Sequence, residues 1–207
     1  MNQMGKFVLV EGLDGCGKGT NAANAFEQMS KYGQTVHTRE PGGTPFAEEL
    51  REVILSKRHA GTPTLSDLMV MYAARVDHVQ NFILPNLRSG INVLCERYYM
   101  SSMAYNDCPE LSDLHFLCMP KLIEPDLTIY LDIDVETSRE RVRQRKIREG
   151  ADPDRIELRP REYFETVRAN YIKLSAALPN VVTINATASR EVVAEHVRTV
   201  IASTLRK

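Results

Sequence analysis

Ten residues, EGLDGCGKGT (Glu11 to Thr20), follow the apolar run FVLV (Phe7 to Val10) and restrict what this chain can become. The apolar run reads as a buried strand, and the four glycines behind it ask for a loop whose backbone approaches something closely. Gly12-x4-Gly17-Lys18, set between a strand and a helical pattern, is a phosphate-binding arrangement. The backbone N–H groups of Gly12, Leu13, Asp14, Gly15, Cys16, Gly17, Lys18, Gly19 and Thr20 can converge on a polyphosphate at a helix N-terminus. Lys18 would reach its outer phosphates. An ordinary glycine-rich turn would leave Lys18 without a purpose. Gly19 stands where such loops usually carry the hydroxyl that ligates magnesium, while Thr20 can still hydrogen-bond a phosphate.

The rest of the chain repeats the alternation. Strand-like runs FVLVE (7–11), TVHTR (35–39), INVLCE (91–96), LTIYLDI (127–133) and VVTIN (181–185) lie between helix-length segments near 18–31, 45–57, 63–89, 99–119, 135–149, 160–177 and 189–205. Short Val/Ile/Leu-rich strands between helices predict an α/β fold, a parallel sheet with helices on both faces and ligands beyond the carboxyl ends of the strands. With 207 residues, a single domain over 1–207 is expected. Lys and Arg total 26 against 27 Asp and Glu, so any anion site must be local, and neither nucleic acid nor a membrane surface is an expected partner. Apolar runs are too short to span a bilayer, and MNQMGKFVLV lacks a signal-peptide layout. Cys16, Cys95, Cys108 and Cys118 show no metal-ligand spacing, so reduced thiols in a cytoplasmic protein are the expectation, and no site built from protein ligands alone is expected for a metal.

Polar clusters fall just behind the strands. In TREPGGTPFAEELREVIL (38–55), Arg39 ends a strand and can grip a phosphate bidentately, and Pro41-Gly42-Gly43 supplies a rigid turn in which a cis bond before Pro41 is possible. In VLCERYYMSSMAYN (93–106), Glu96 and Arg97 end another strand. The carboxylate can hold a hydrated magnesium or orient an attacking oxygen, and the arginine can neutralise phosphoryl charge; taken alone, the pair is equally a structural salt bridge. In SRERVRQRKIREGADPDRIELRPR (138–161), Arg141, Arg145 and Arg148 fall on one helical face ahead of Gly150. That run is either a solvated basic helix or an arginine-rich flap, about 141–157, that closes on a phosphate site.

Together these segments resemble the thymidylate kinases. EGLDGCGKGT, TREPGGT, MYAAR (71–75), ERY followed by SSMAY, and DRIE (154–157) occur in that family's order and spacing, over residues 7 to about 171. The likeness is to bacterial members, which lack an arginine inside the loop, where Gly15 stands here, and supply it from the lid. The resemblance implies a P-loop three-layer fold around a five-stranded parallel sheet, ATP with Mg2+, a deoxypyrimidine monophosphate acceptor and a homodimer. It implies catalytic roles for Lys18, Glu96, Arg97, Arg145 and Arg148, with Arg155 behind the last two. It places Arg39 and Arg97 on the acceptor's phosphate, Glu11 near the metal and the acceptor, Arg75 on a ring carbonyl, Tyr105 against the sugar and Ser102 in the acceptor site. The loop around Ala186 to Ser189 would face adenine. Two positions depart from the pattern. Glu96 replaces the family's Asp, and Met71 stands where an aromatic usually stacks on the base. Met71 keeps open a kinase for another pyrimidine monophosphate, such as deoxyuridylate or a modified one; Glu96 and Gly19 keep open a nucleotide-binding regulator without turnover.

Overall fold

The computed structural model describes residues 4–106 and 108–206. Residues 1–3, Asp107 and Lys207 lie outside the described residues. In chain order the elements are β1 (Phe7–Gly12), α1 (Lys18–Ser30), β2 (Thr35–Arg39), α2 (Pro45–Leu55), α3 (Thr64–His78), α4 (Leu84–Arg88), β3 (Asn92–Glu96), α5 (Tyr99–Tyr105), α6 (Glu110–Cys118), β4 (Leu127–Asp132), α7 (Val135–Glu149), α8 (Arg161–Ala177), β5 (Val181–Asn185) and α9 (Arg190–Leu205). The strands form one sheet in the order β2-β3-β1-β4-β5 with every pairing parallel. The five strands expected from the sequence are all present, with bounds moved by a residue. Phe7 to Gly12 are buried without exception, as expected for a central strand covered on both faces. α1 packs on α9, and α5 on α8.

Local signals explain several helix ends. Thr44 caps α2 by accepting from Ala47 N, and Pro45 opens it where a missing N–H costs nothing. Asp134 caps α7 through Thr137 N, and Gly150 ends it in a left-handed conformation at φ 61°. Two longer helix expectations change. The 63–89 segment stays helical but takes a π turn over Val79–Ile83, just before Pro85, whose ring would otherwise press on the preceding turn and which has no N–H to donate. The 99–119 segment breaks into α5 and α6. Asn106 is extended (φ −128°, ψ 127°) and Pro109 precedes the first residue of α6, so α6 starts afresh.

β1 sits between β3 and β4; the connection leaving β1 runs to β2 on one side and the connection leaving β3 crosses to β4 on the other, which opens a crevice beyond the carboxyl ends of these strands. The bond before Pro41 is cis. Among the described residues, no helix is long and apolar enough to cross a membrane, and all four cysteines are free thiols. Burial pushes the Cys16 and Cys95 thiols up, which keeps both protonated.

Candidate active site

A cleft of about 750 Å³ opens beyond β1, β2 and β3 and is roofed by α7 and the loop behind it. Asp14 through Asn21 line its floor. Gly17 holds a left-handed backbone at φ 91° and hands the loop to α1. At Gly15, φ 79°, an added Cβ would come within 2.3 Å of the Ser138 carbonyl oxygen. A side chain there has no room, which is the physical reason a loop arginine is excluded in this chain. Lys18 is nearly buried; its ammonium donates to the carbonyls of Gly12 (3.1 Å) and Leu13 (2.9 Å) and lies 3.6 Å from Asp14.

Arg97 reaches the same point from β3. Its φ of 68° is left-handed, a conformation that costs a non-glycine residue about 1–2 kcal/mol. The surroundings over-determine it. Its guanidinium donates to Asp14 Oδ1 at 2.8 Å and Ser101 Oγ at 3.0 Å, and lies 3.4 Å from the hydroxyls of Tyr105 and Tyr171. Burial works against the Asp14 carboxylate, but the charges of Arg97 and Lys18 outweigh it and hold the carboxyl well below the usual range.

Of the residues expected from the sequence, Arg39, Met71, Glu96, Arg97, Tyr105, Arg145 and Arg148 all line the cleft with the loop. Arg39 stands at the rim, tied to Glu48 at 3.0 Å. Arg145, from α7, is held by Glu157 at 2.8 Å, and Arg148 is exposed. Others sit differently. Glu11 is fully buried and its carboxylate accepts from Tyr98 N, Ser101 N, Ser101 Oγ and Tyr171 Oη, so it braces the cleft wall instead of lining it. Ser102 is also fully buried, with its Oγ accepting from Arg75; its neighbour Ser101 lines the cleft.

Arg75 lies beneath the wall with its guanidinium between the rings of Tyr72 and Tyr98. Nε donates to Glu40 at 2.7 Å and Nη2 to Ser102, while Nη1 is a buried donor with no partner among the described residues. Arg155 also lines the cleft with Arg145 and Arg148. It is nearly buried, donating to the Ile54 carbonyl, to the His59 carbonyl at 3.0 Å and to Asp67 at 2.8 Å, so it clasps the loop after α7 onto α2 and α3.

Arg51 and Asn106 line the cleft and were missed. Arg51 had a legible signal. It falls between Ala47 and Ile54, the buried positions of α2, where an arginine in the buried stripe asks for a polar partner; it donates to the Pro41 carbonyl at 2.7 Å.

Among the described residues, no group of three or more His, Cys, Asp or Glu could cage a metal. Of the carboxylates lining the cleft, Asp14 is engaged by Arg97 and Asp67 by Arg155, while Glu96 lies beside the loop with one oxygen, Oε1, held by His37. One carboxylate beside a phosphate-binding loop fits a hard cation carried mainly by phosphate oxygens and water.

The thymidylate kinase family model matches residues 10–197. A thymidylate kinase of Teredinibacter turnerae is 41% identical over 175 residues, covering 81% of this chain and 82% of that protein. One from Francisella tularensis subsp. holarctica is 40% identical over 191 residues, covering 89% of each. A crystal structure of thymidylate kinase from Ehrlichia chaffeensis superposes with a TM-score of 0.72 over 99% of both chains at 24% identity, a likeness of fold. On its family match and these relatives, the chain belongs to the thymidylate kinase family.

Proposed function

We propose that this thymidylate kinase moves the γ-phosphoryl of ATP onto the 5′-phosphate of thymidylate, giving the diphosphate for dTTP synthesis. The observation that carries it is a convergence. Asp14 Oδ1 lies 3.6 Å from Lys18 Nζ and 2.8 Å from Arg97 Nη2, so cations from two strand ends meet at one point where a phosphoryl group can pass. The acceptor phosphate is already nucleophilic, so no strong protein base is needed. Catalysis is then positioning and charge neutralisation. Lys18 holds the donor phosphates, Arg39 and Arg97 the acceptor phosphate, and Arg145 and Arg148 close from α7. Bound with ATP, Mg2+ would neutralise phosphate charge, and Glu96 is the residue placed to hold its water shell. Tyr105 packs toward the sugar, and the unpartnered Nη1 of Arg75 offers a donor for a ring carbonyl. We read residues 1–207 as one kinase unit working in the cytoplasm. The exposed Phe116 and Leu117 at the end of α6 favour pairing with a second copy.

Residues 141–157 act as a lid in this reading, with Arg155 as its clasp. A bisubstrate analogue is expected to slow hydrogen exchange across 141–157, and Arg155→Ala to speed it without the analogue. Unchanged exchange in both would reduce α7 to a solvated basic helix.

Met71 favours a second reading, since it lines the cleft one turn before Arg75 on the same side of α3. A thioether covers a base loosely and tolerates other pyrimidines. The experiment is a coupled assay of ADP release across a panel of monophosphates, with wild type and Met71→Phe. A flat ring adds about 0.5–1.5 kcal/mol of stacking, so the preference for thymidylate over deoxyuridylate is expected to rise up to about tenfold. Overfilling, which typically costs about 1–3 kcal/mol, would lower both substrates together and leave the ratio flat. Wild-type preference for another monophosphate would overturn thymidylate as the substrate.

A further inference from the structure

Gly19, which lacks the hydroxyl usual in a phosphate-binding loop, and Glu96, which precedes Arg97, meet at one point in space. A Cβ added at Gly19 would have Glu96 Oε2, 4.0 Å away, as its nearest neighbour. The hydroxyl of an ordinary phosphate-binding loop hangs from that Cβ. The side chain absent at position 19 and the extra methylene at position 96 therefore concern the same space.

The other carboxylate oxygen is fixed from outside the cleft. Glu96 Oε1 lies 3.1 Å from His37 Nε2. β2 and β3 run parallel with His37 beside Leu94 and Arg39 beside Glu96, so the two-residue pleat puts His37 and Glu96 on one face of the sheet. The ring of Phe26, from α1, lies 6.3 Å from the imidazole, so the helix that carries Gly19 also packs against His37.

We propose that Gly19, Glu96 and His37 work as one unit, in which Glu96 Oε2 supplies toward the metal–ATP complex the oxygen that a loop hydroxyl supplies elsewhere. His37 is the positioning residue that aims it. The inference rests on the reading that ATP enters with a divalent cation. Glu96→Asp would draw the carboxylate back from both His37 and the loop. A hydroxyl at position 19 beside the longer Glu96 would donate to Oε2 and draw it off the metal. Each change alone harms the site, and the two together rebuild the ordinary arrangement.

The test uses Mn2+ as a spin probe, read by electron paramagnetic resonance on the enzyme with ATP. Steady-state constants and thermal melts are recorded for the same proteins. The variants are Glu96→Asp, Gly19→Thr, the two combined, and His37→Ala in the wild-type and combined backgrounds; Gly19→Ser repeats the series with a smaller side chain in case threonine lowers the melting point. Glu96→Asp and Gly19→Thr are each expected to weaken Mn2+ binding about 10- to 100-fold, and the combined variant to return within about twofold of wild type. His37→Ala should cost about tenfold in the wild-type background and nothing in the combined one, with KM for thymidylate unmoved in both. Additive losses, or a His37→Ala effect that is absent or equal in the two backgrounds, would overturn the proposal while leaving the kinase reading standing. Wild-type enzyme that binds Mn2+ no better than ATP alone does would overturn the metal reading and this inference with it.

Discussion

Replacing Lys18 by alanine should lower turnover at least about 10²- to 10³-fold while the protein still folds, because one preorganised cationic donor in such a site contributes roughly 3–4 kcal/mol to the transition state. The fold should survive because of what Lys18 touches. Its ammonium donates to the Gly12 and Leu13 carbonyls and faces Asp14, all within the loop it belongs to, and its removal breaks no contact between layers. Losing these contacts should cost no more than about 1–2 kcal/mol, seen as a small drop in melting temperature by circular dichroism. Turnover is read by coupled ADP release. Retention of a third of wild-type turnover would remove Lys18 from the chemistry and with it the assignment of the loop.

Arg97→Ala should be as damaging to turnover and more damaging to stability. Arg97 ties β3 to the loop through Asp14, to α5 through Ser101, and reaches Tyr171 of α8, so several elements lose a common partner. Asp14 would be left beside Lys18 alone. A hydrogen bond to a charged group is worth about 1.5–3 kcal/mol, and the stability loss should be of that size. Its pH dependence has a definite sign. The Asp14 carboxyl is depressed in the folded protein, so its contribution is present above the ordinary carboxylate range and lost as pH falls toward the folded value. The gap between wild type and Arg97→Ala should therefore be full at pH 7 and narrow on acidification, in urea unfolding followed over about pH 3–7. Arg97→Lys keeps a charge without the planar fork and should fall between the two in kcat/KM for thymidylate. A gap that stays constant with pH would mean the Arg97–Asp14 pair contributes nothing to stability.

Strands, the loop and the ends of α2 and α7 were legible because they depend on neighbours in sequence. FVLV followed by a glycine-rich run can hardly form anything but a strand emptying into a phosphate-binding turn, and Thr44, Asp134 and Gly150 mark helix ends by their own chemistry. The break between α5 and α6 is also written locally, in Pro109. Glu96, Arg97, Arg39 and Tyr105 line the cleft because the end of a parallel strand, or the helix behind it, points there in any open α/β sheet.

What the sequence alone could not decide is which side chain of a polar pair faces the ligand and which supports it. Ser101 and Ser102 are adjacent, yet consecutive helical positions point about 100° apart, so one lines the cleft and the other is buried against Arg75. Glu11 ends up beneath the wall because donors from α5 and from Tyr171, 160 residues away, close over its carboxylate. Arg155 is a clasp because Ile54, His59 and Asp67 come to meet it across roughly ninety to a hundred residues of chain. His37 reads as an ordinary strand residue until the register of β2 on β3 sets it against Glu96. Local spacing fixes the elements and the direction in which their ends point. A buried charge takes its role from whichever partners the packed layers bring to it, and those partners lie far away along the chain.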